Sequence, residues 1–114
     1  GRMSIFNFFK EVTDVCASTD FIKDLDLLIF DAPVIKLRAN ITETTFMEIF
    51  FNSQTGKCSF ALVKNELRIY GIDNTKDWHI HPFENPCDHL PFHRISFREF
   101  IKRIEENKSK WSGQ

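Results

Sequence analysis

The chain has 114 residues, 42% of them hydrophobic and 27% charged, and a net charge of −1 with histidine neutral. That length supports one domain built on one core. The balance excludes a strongly basic binder of duplex DNA, and no apolar run approaches the length of a membrane-spanning helix.

Cys16, Cys58 and Cys87 are odd in number and far apart. That spacing suits reduced thiols in the cytoplasm better than a disulfide framework. No secretory signal pattern opens the sequence. Gly1-Arg2 ahead of Met3 reads as a cloning remnant, and the sequon at Asn40-Ile41-Thr42 as coincidental. Thirteen phenylalanines against one tyrosine promise a large aromatic core.

Residues 4–18 carry apolar side chains at 5, 8, 9, 12, 15 and 16, one helical stripe with Ser4 as its N-cap. Residues 26–31 are short and apolar. They fit either a first strand or the end of a helical connection through Phe21 and Leu25. From Val34 the period becomes two: Ile35, Leu37, Ala39 and Ile41 alternate with Lys36, Arg38 and Asn40. Residues 44–52 are β-branched and aromatic, a strand. Ser53 to Gly56 supplies a turn with a positive φ at the glycine. Strands follow over 57–63 and 67–72, joined tightly through Lys64-Asn65-Glu66. The short links predict an antiparallel meander of four or five strands. Residues 73–95 show neither period and predict a packed loop around Trp78, Ile80, Phe83, Leu90 and Phe92. Ser96-Phe97-Arg98-Glu99 is a capping box, and Phe97, Phe100, Ile101 and Ile104 give the helix it opens a buried face. Residues 105–110 read as a charged, fraying end. The expected fold class is α+β, a sheet with an N-terminal and a C-terminal helix packed on it.

All four histidines lie at 79, 81, 89 and 93, among Asp73, Asn74, Asp77, Cys87 and Asp88. Histidine titrates nearest neutrality, so this stretch is where protons move or a ligand binds. In an extended segment His79 and His81 project to one face and Ile80 to the other. Such a pair suits acid–base work on a phosphodiester or metal ligation, and equally suits hydrogen bonds that anchor the loop. Asp73 stands where a carboxylate orients an imidazole. Asp73-Asn74 also fits a simple turn cap. Cys87, His89 and His93 have ligand-like types without a zinc-site spacing, and a proline-rich loop explains them as well. Lys36, Arg38, Glu48, Arg68 and Tyr70 are the polar strand positions. Arg38, Lys36 and Tyr70 together could hold RNA phosphates and stack a base, and a solvated face is the plainer account of Lys36. Phe46, Phe50, Phe51, Phe60, Phe97 and Phe100 read as core or interface, and an exposed remainder would mark a partner surface.

The run Arg68-Ile-Tyr-Gly-Ile-Asp73-Asn74-x3-Trp78-His79-x-His81, followed by a Pro/His loop and Ser96-Phe-x-Glu99-Phe, resembles the TumE-like toxin family of type II toxin–antitoxin modules. The resemblance runs from the strand at Val34 to the helix at Ser96. Thr75 after the Asp-Asn pair and the long insertion between His81 and Ser96 depart from the family pattern. The resemblance implies a toxin that acts on RNA and is neutralised by a cognate antitoxin. RelE-like ribonucleases share the architecture of a meander between helices, which is analogy alone. The resulting expectation is a metal-independent endoribonuclease without cofactor. Arg68, Asp73, Asn74, His79 and His81 are its catalytic set; His79 and His81 exchange protons, Arg68 stabilises the phosphorane with Arg38 as a candidate helper, and Asp73 fixes a tautomer. Expected partners are the antitoxin and RNA, with no membrane, and a homodimer stays open. The alternatives are a non-enzymatic protein-binding module or a metal site drawn from His79, His81, Cys87, His89 and His93.

Overall fold

A computed structural model describes residues 3–113; Gly1-Arg2 lies outside them. Helix α1 spans Ile5–Ala17, and Ser4 caps it by accepting the Asn7 N–H at 3.1 Å. Seven strands follow: β1 Asp24–Asp31, β2 Val34–Asn40, β3 Thr45–Asn52, β4 Cys58–Lys64, β5 Leu67–Asp73, β6 His79–His81 and β7 Leu90–Pro91. Helix α2 spans Phe97–Glu106 behind the expected capping box, with Ser96 and Glu99 each accepting the other's backbone N–H. The fold is α+β, and the strands pair in sequence order as one antiparallel meander.

The sheet has seven strands rather than four or five. The extra two, β6 and β7, lie inside the stretch 73–95 that showed no period. Strands of three and two residues are too short to display an alternation, and only pairing with β5 reveals them. Residues 26–31 belong to β1 and not to a helical connection. Asn65 and Glu66 take φ of 52° and 69°, a two-residue turn whose twist suits a hairpin, and Gly56 has φ of 80°.

Alternation sorts the strands' side chains onto two faces. Both helices contribute to the core that forms on one of them. Ile35, Leu37, Met47, Ile49, Phe60, Leu62, Tyr70 and Ile72 are buried there. Phe60 lies at its centre, with ring contacts to Phe8 of α1 and to Phe97 and Phe100 of α2. Of the phenylalanines read as core or interface, Phe51, Phe60, Phe97 and Phe100 are buried, while Phe46 and Phe50 are half-buried on the opposite, open face. Exposed Phe6, Leu27, Leu28, Ile29 and Phe30 gather at β1, the edge strand.

Residues 105–110 do not fray. A 3-10 turn, Lys108–Lys110, brings Trp111 back into the core, where its indole N–H donates to the Ile104 carbonyl at 2.8 Å. Lys64 of β4 donates to the Trp111 carbonyl at 2.7 Å. Burial of the indole outweighs the charge run before it.

Candidate active site

The register fixes where the polar positions fall. Across the open face one row runs Arg38, Glu48, Ala61, Gly71, His81, and the next runs Lys36, Phe50, Ser59, Asp73, His79. His79 and His81 flank Ile80, whose side chain turns to the core. The sheet thus carries Lys36 and Arg38 on the same face as Asp73 and both imidazoles. Ser59, Ala61 and Gly71 form a low floor between the two groups. At Gly71 a Cβ would come within 3.2 Å of the Phe60 carbonyl oxygen and 3.3 Å of Arg68 Cδ, closer than ordinary contact, which favours bare backbone there.

Four groups converge at the β6 end. His79 Nε2 lies 3.1 Å from His81 Nε2. Asp73 directs Oδ1 to His79 Nε2 and Oδ2 to His81 Nε2, both at 3.2 Å. The exposed His89 ring packs on both, at centroid distances of 5.0 and 4.5 Å. The remaining nitrogens are fixed from behind: His79 Nδ1 meets the Asp77 carbonyl at 2.8 Å and His81 Nδ1 the Pro86 carbonyl at 3.2 Å. Each Nδ1 thus lies against an acceptor, and each Nε2 faces inward toward Asp73.

Burial by itself pushes the Asp73 carboxyl up. The Thr75 backbone N–H at 2.9 Å, the His79 charge and the His81 hydrogen bond outweigh it and hold the group below its usual range. His81 is pushed down, first by burial and then by the Arg68 guanidinium, against the pull of Asp73. Asp73 is therefore ionised at neutral pH and His81 is neutral. His81 is 1% exposed and His79 14%. No phosphate fits between nitrogens 3.1 Å apart, so the two rings act as one unit, with only His79 reaching solvent.

Arg68 is exposed beside the cluster, its Nη2 3.5 Å from the Pro86 carbonyl. Tyr70 is not beside it. A bulge skips Ile69, pairing Val63 with Arg68 and Leu62 with Tyr70, so the two residues fall on opposite faces despite their spacing. Tyr70 is 2% exposed, stacked on Phe83, and accepts from Arg103 Nε at 2.7 Å, so it cannot stack a base. Asn74 is also outside the cluster. Its side chain accepts from Cys58 N–H at 2.8 Å and donates to the Gly56 carbonyl at 2.9 Å, tying the β3–β4 turn to the end of β5. Arg38 is at the far end of the open face, 3.2 Å from Glu48 and over the Phe46 ring at 4.2 Å.

His89 is the site residue that the sequence pattern set aside. Its only signal was proximity to the other histidines, and the fold of residues 82–89 supplies the rest. Cys87 and His93 do not join the three-histidine group, and His93 instead stacks on Phe92. A second, largely apolar cleft of about 400 Å³ opens on the helix side, between Phe8, Phe51, Phe60, Trp78, Arg94 and Phe97. Glu11, Glu99 and Cys58 also line it but no histidine does, so the open-face cluster is the candidate for acid–base chemistry near neutral pH.

No protein-family model, curated protein or solved structure matches this chain.

Proposed function

We propose that the chain is the toxin of a type II toxin–antitoxin module and cleaves RNA at the Asp73–His79–His81–His89 cluster. One observation carries this reading: the paired imidazoles and their carboxylate share a sheet face with Arg38 and Lys36 and have Arg68 at their edge. The single strand lies across the low floor of Ser59, Ala61 and Gly71, with its phosphates toward the guanidinium groups.

The reaction needs a base, an acid and a charge sink. His89, exposed, takes the proton from the ribose 2′-OH. The 2′-oxygen attacks phosphorus, and the P–O5′ bond breaks as a 2′,3′-cyclic phosphate forms. His79, with Nε2 against Asp73, gives its proton to the departing 5′-oxygen. Arg68 opposes the charge that builds on the phosphorane oxygens. His81 and Asp73 are positioning residues that orient His79 from within. His81 thus leaves the proton-exchanging role expected of it, and His89 takes it.

The test is expression in a bacterial host, with total RNA incubated with purified protein with and without EDTA. The expected outcome is arrested growth, relief by co-expression of a cognate antitoxin, and EDTA-resistant fragments ending in cyclic phosphate. Equal cleavage by His79→Ala and the parent sinks the mechanism. No cleavage under any condition leaves a protein-binding module.

A further inference from the structure

The geometry points to a divalent transition-metal site at this cluster, with His79, His81 and His89 as nitrogen ligands and Asp73 as the carboxylate ligand. The inference goes beyond RNA cleavage and does not depend on it.

Ring placement makes the argument. Both Nδ1 atoms lie against backbone carbonyls, at 2.8 and 3.2 Å, so both rings turn Nε2 inward. The two Nε2 atoms face one another at 3.1 Å and an acceptor-only carboxylate at 3.2 Å each. A proton lies along one line and joins two of the three groups. A cation at the centre, taking the place of any Nε2 proton, satisfies all three together.

The spacing is that of a coordination shell. Bonds of about 2.0–2.1 Å from zinc to nitrogen or oxygen, at tetrahedral angles, hold ligand atoms roughly 3.3 Å apart. The separations of 3.1 and 3.2 Å are close to that edge length. The three histidines offer nitrogens all within 4.8 Å of one another, so a small swing of the exposed His89 ring closes the third corner. Backbone carbonyls behind two ligating rings are the usual second support of a zinc-bound imidazole, and both are in place. Imidazole with carboxylate selects borderline ions such as Zn²⁺ over the harder Mg²⁺ and Ca²⁺.

The experiment uses the whole chain, freed of metal by chelator and titrated with Zn²⁺ by calorimetry and with Co²⁺ by visible absorption. One ion per chain and the intense bands of four-coordinate Co²⁺ are expected. His89→Ala removes an exposed ligand without touching the core and weakens binding about tenfold or more. Asp73→Asn weakens it comparably, and Cys87→Ser, next in the same loop, binds as the parent does. Circular dichroism checks that each variant is folded. Absence of saturable binding by the folded parent overturns the site. So does affinity that both His89→Ala and Asp73→Asn leave unchanged.

Discussion

The strands show the helix side of the sheet Ile35, Leu37, Met47, Ile49, Phe60 and Ile72. One residue along, they show the other side Lys36, Arg38, Glu48, Ser59, Ala61 and Asp73. The first face is sealed by two helices, and stability lies there. The second is closed only near β6, where the loop after His81 folds over it. A period of two thus separates the side chains that hold the fold from those of the candidate site, at single-residue resolution. Adjacent positions should respond to substitution in different currencies.

The largest expected effect is on the sealed face. Phe60→Ala removes the ring on which both helices meet and should cost about 3–5 kcal/mol in urea denaturation. Ala61→Ser, one residue on, should shift stability by no more than about 0.5 kcal/mol. Equal losses at the two positions would break the comparison. On the open face the large effect is kinetic. His79→Ala should lower RNA cleavage by about 10²–10⁴-fold, read as initial rates, with the parent's far-ultraviolet spectrum retained. Saturating Zn²⁺ should suppress the proposed cleavage that EDTA leaves intact, because an ion bound to His79 Nε2 and to His89 occupies the two atoms that would move the protons.

The two faces also answer to opposite ends of the pH scale. On the helix face, burial pushes the Cys58 thiol up from 9.0 to about 12 and Cys16 to about 11. Above pH 9 the unfolded chain ionises these thiols while the folded chain does not. Their contribution is therefore full below pH 9 and lost as pH rises through the folded values. On the open face, His81 is held below 6.5, so beneath that pH the unfolded chain takes up a proton that the folded chain refuses, and stability falls on acidification. Asp73, held below 3.8, adds a second loss as pH falls through its folded value. Denaturation midpoints in metal-free buffer should fall at both ends. Cys58→Ala should flatten the alkaline limb and His81→Gln the first part of the acid limb. A Cys58→Ala variant whose alkaline limb matches the parent's would remove this difference between the faces.

Much of the helix face was legible in the sequence. The stripe at 5, 8, 12 and 15, the alternation from Val34 and the Ser96–Glu99 box each express a local period or cap that needs no partner to be seen. The open face was legible only in part. His79, His81 and Asp73 were foreseeable because β6 follows β5 closely and pairs with it directly. His89 was not, because its approach depends on how residues 82–89 turn. Tyr70 was misplaced because parity from Arg68 assumes an unbroken strand, and the bulge at Ile69 reverses it. Trp111 was passed over because a lone aromatic after a charged run carries no period. Nothing in Asn74's own neighbourhood tells a turn cap from a catalytic amide; its partners Gly56 and Cys58 are far away in sequence.

The smallest predicted effect tests the far end of the open face. Arg38 is half-exposed, joined to Glu48 at 3.2 Å and laid over the Phe46 ring. An ion pair this open contributes little to stability, roughly 0–1 kcal/mol, so Arg38→Ala should barely move the denaturation midpoint. Its row ends at His81, three strands away from Glu48 through Ala61 and Gly71, so any phosphate it holds belongs to a nucleotide distant from the cleaved bond. Loss of one phosphate contact should reduce the salt dependence of single-strand binding by about 0.7 in logarithmic slope and weaken affinity several-fold at low salt. The rate at saturating RNA should stay at the parent's value, since Arg38 touches no reacting atom. Filter binding across a salt series and single-turnover cleavage separate the two quantities. A fall in the saturated rate with binding unchanged would move Arg38 into the chemistry, and an unchanged slope would take it out of the RNA path.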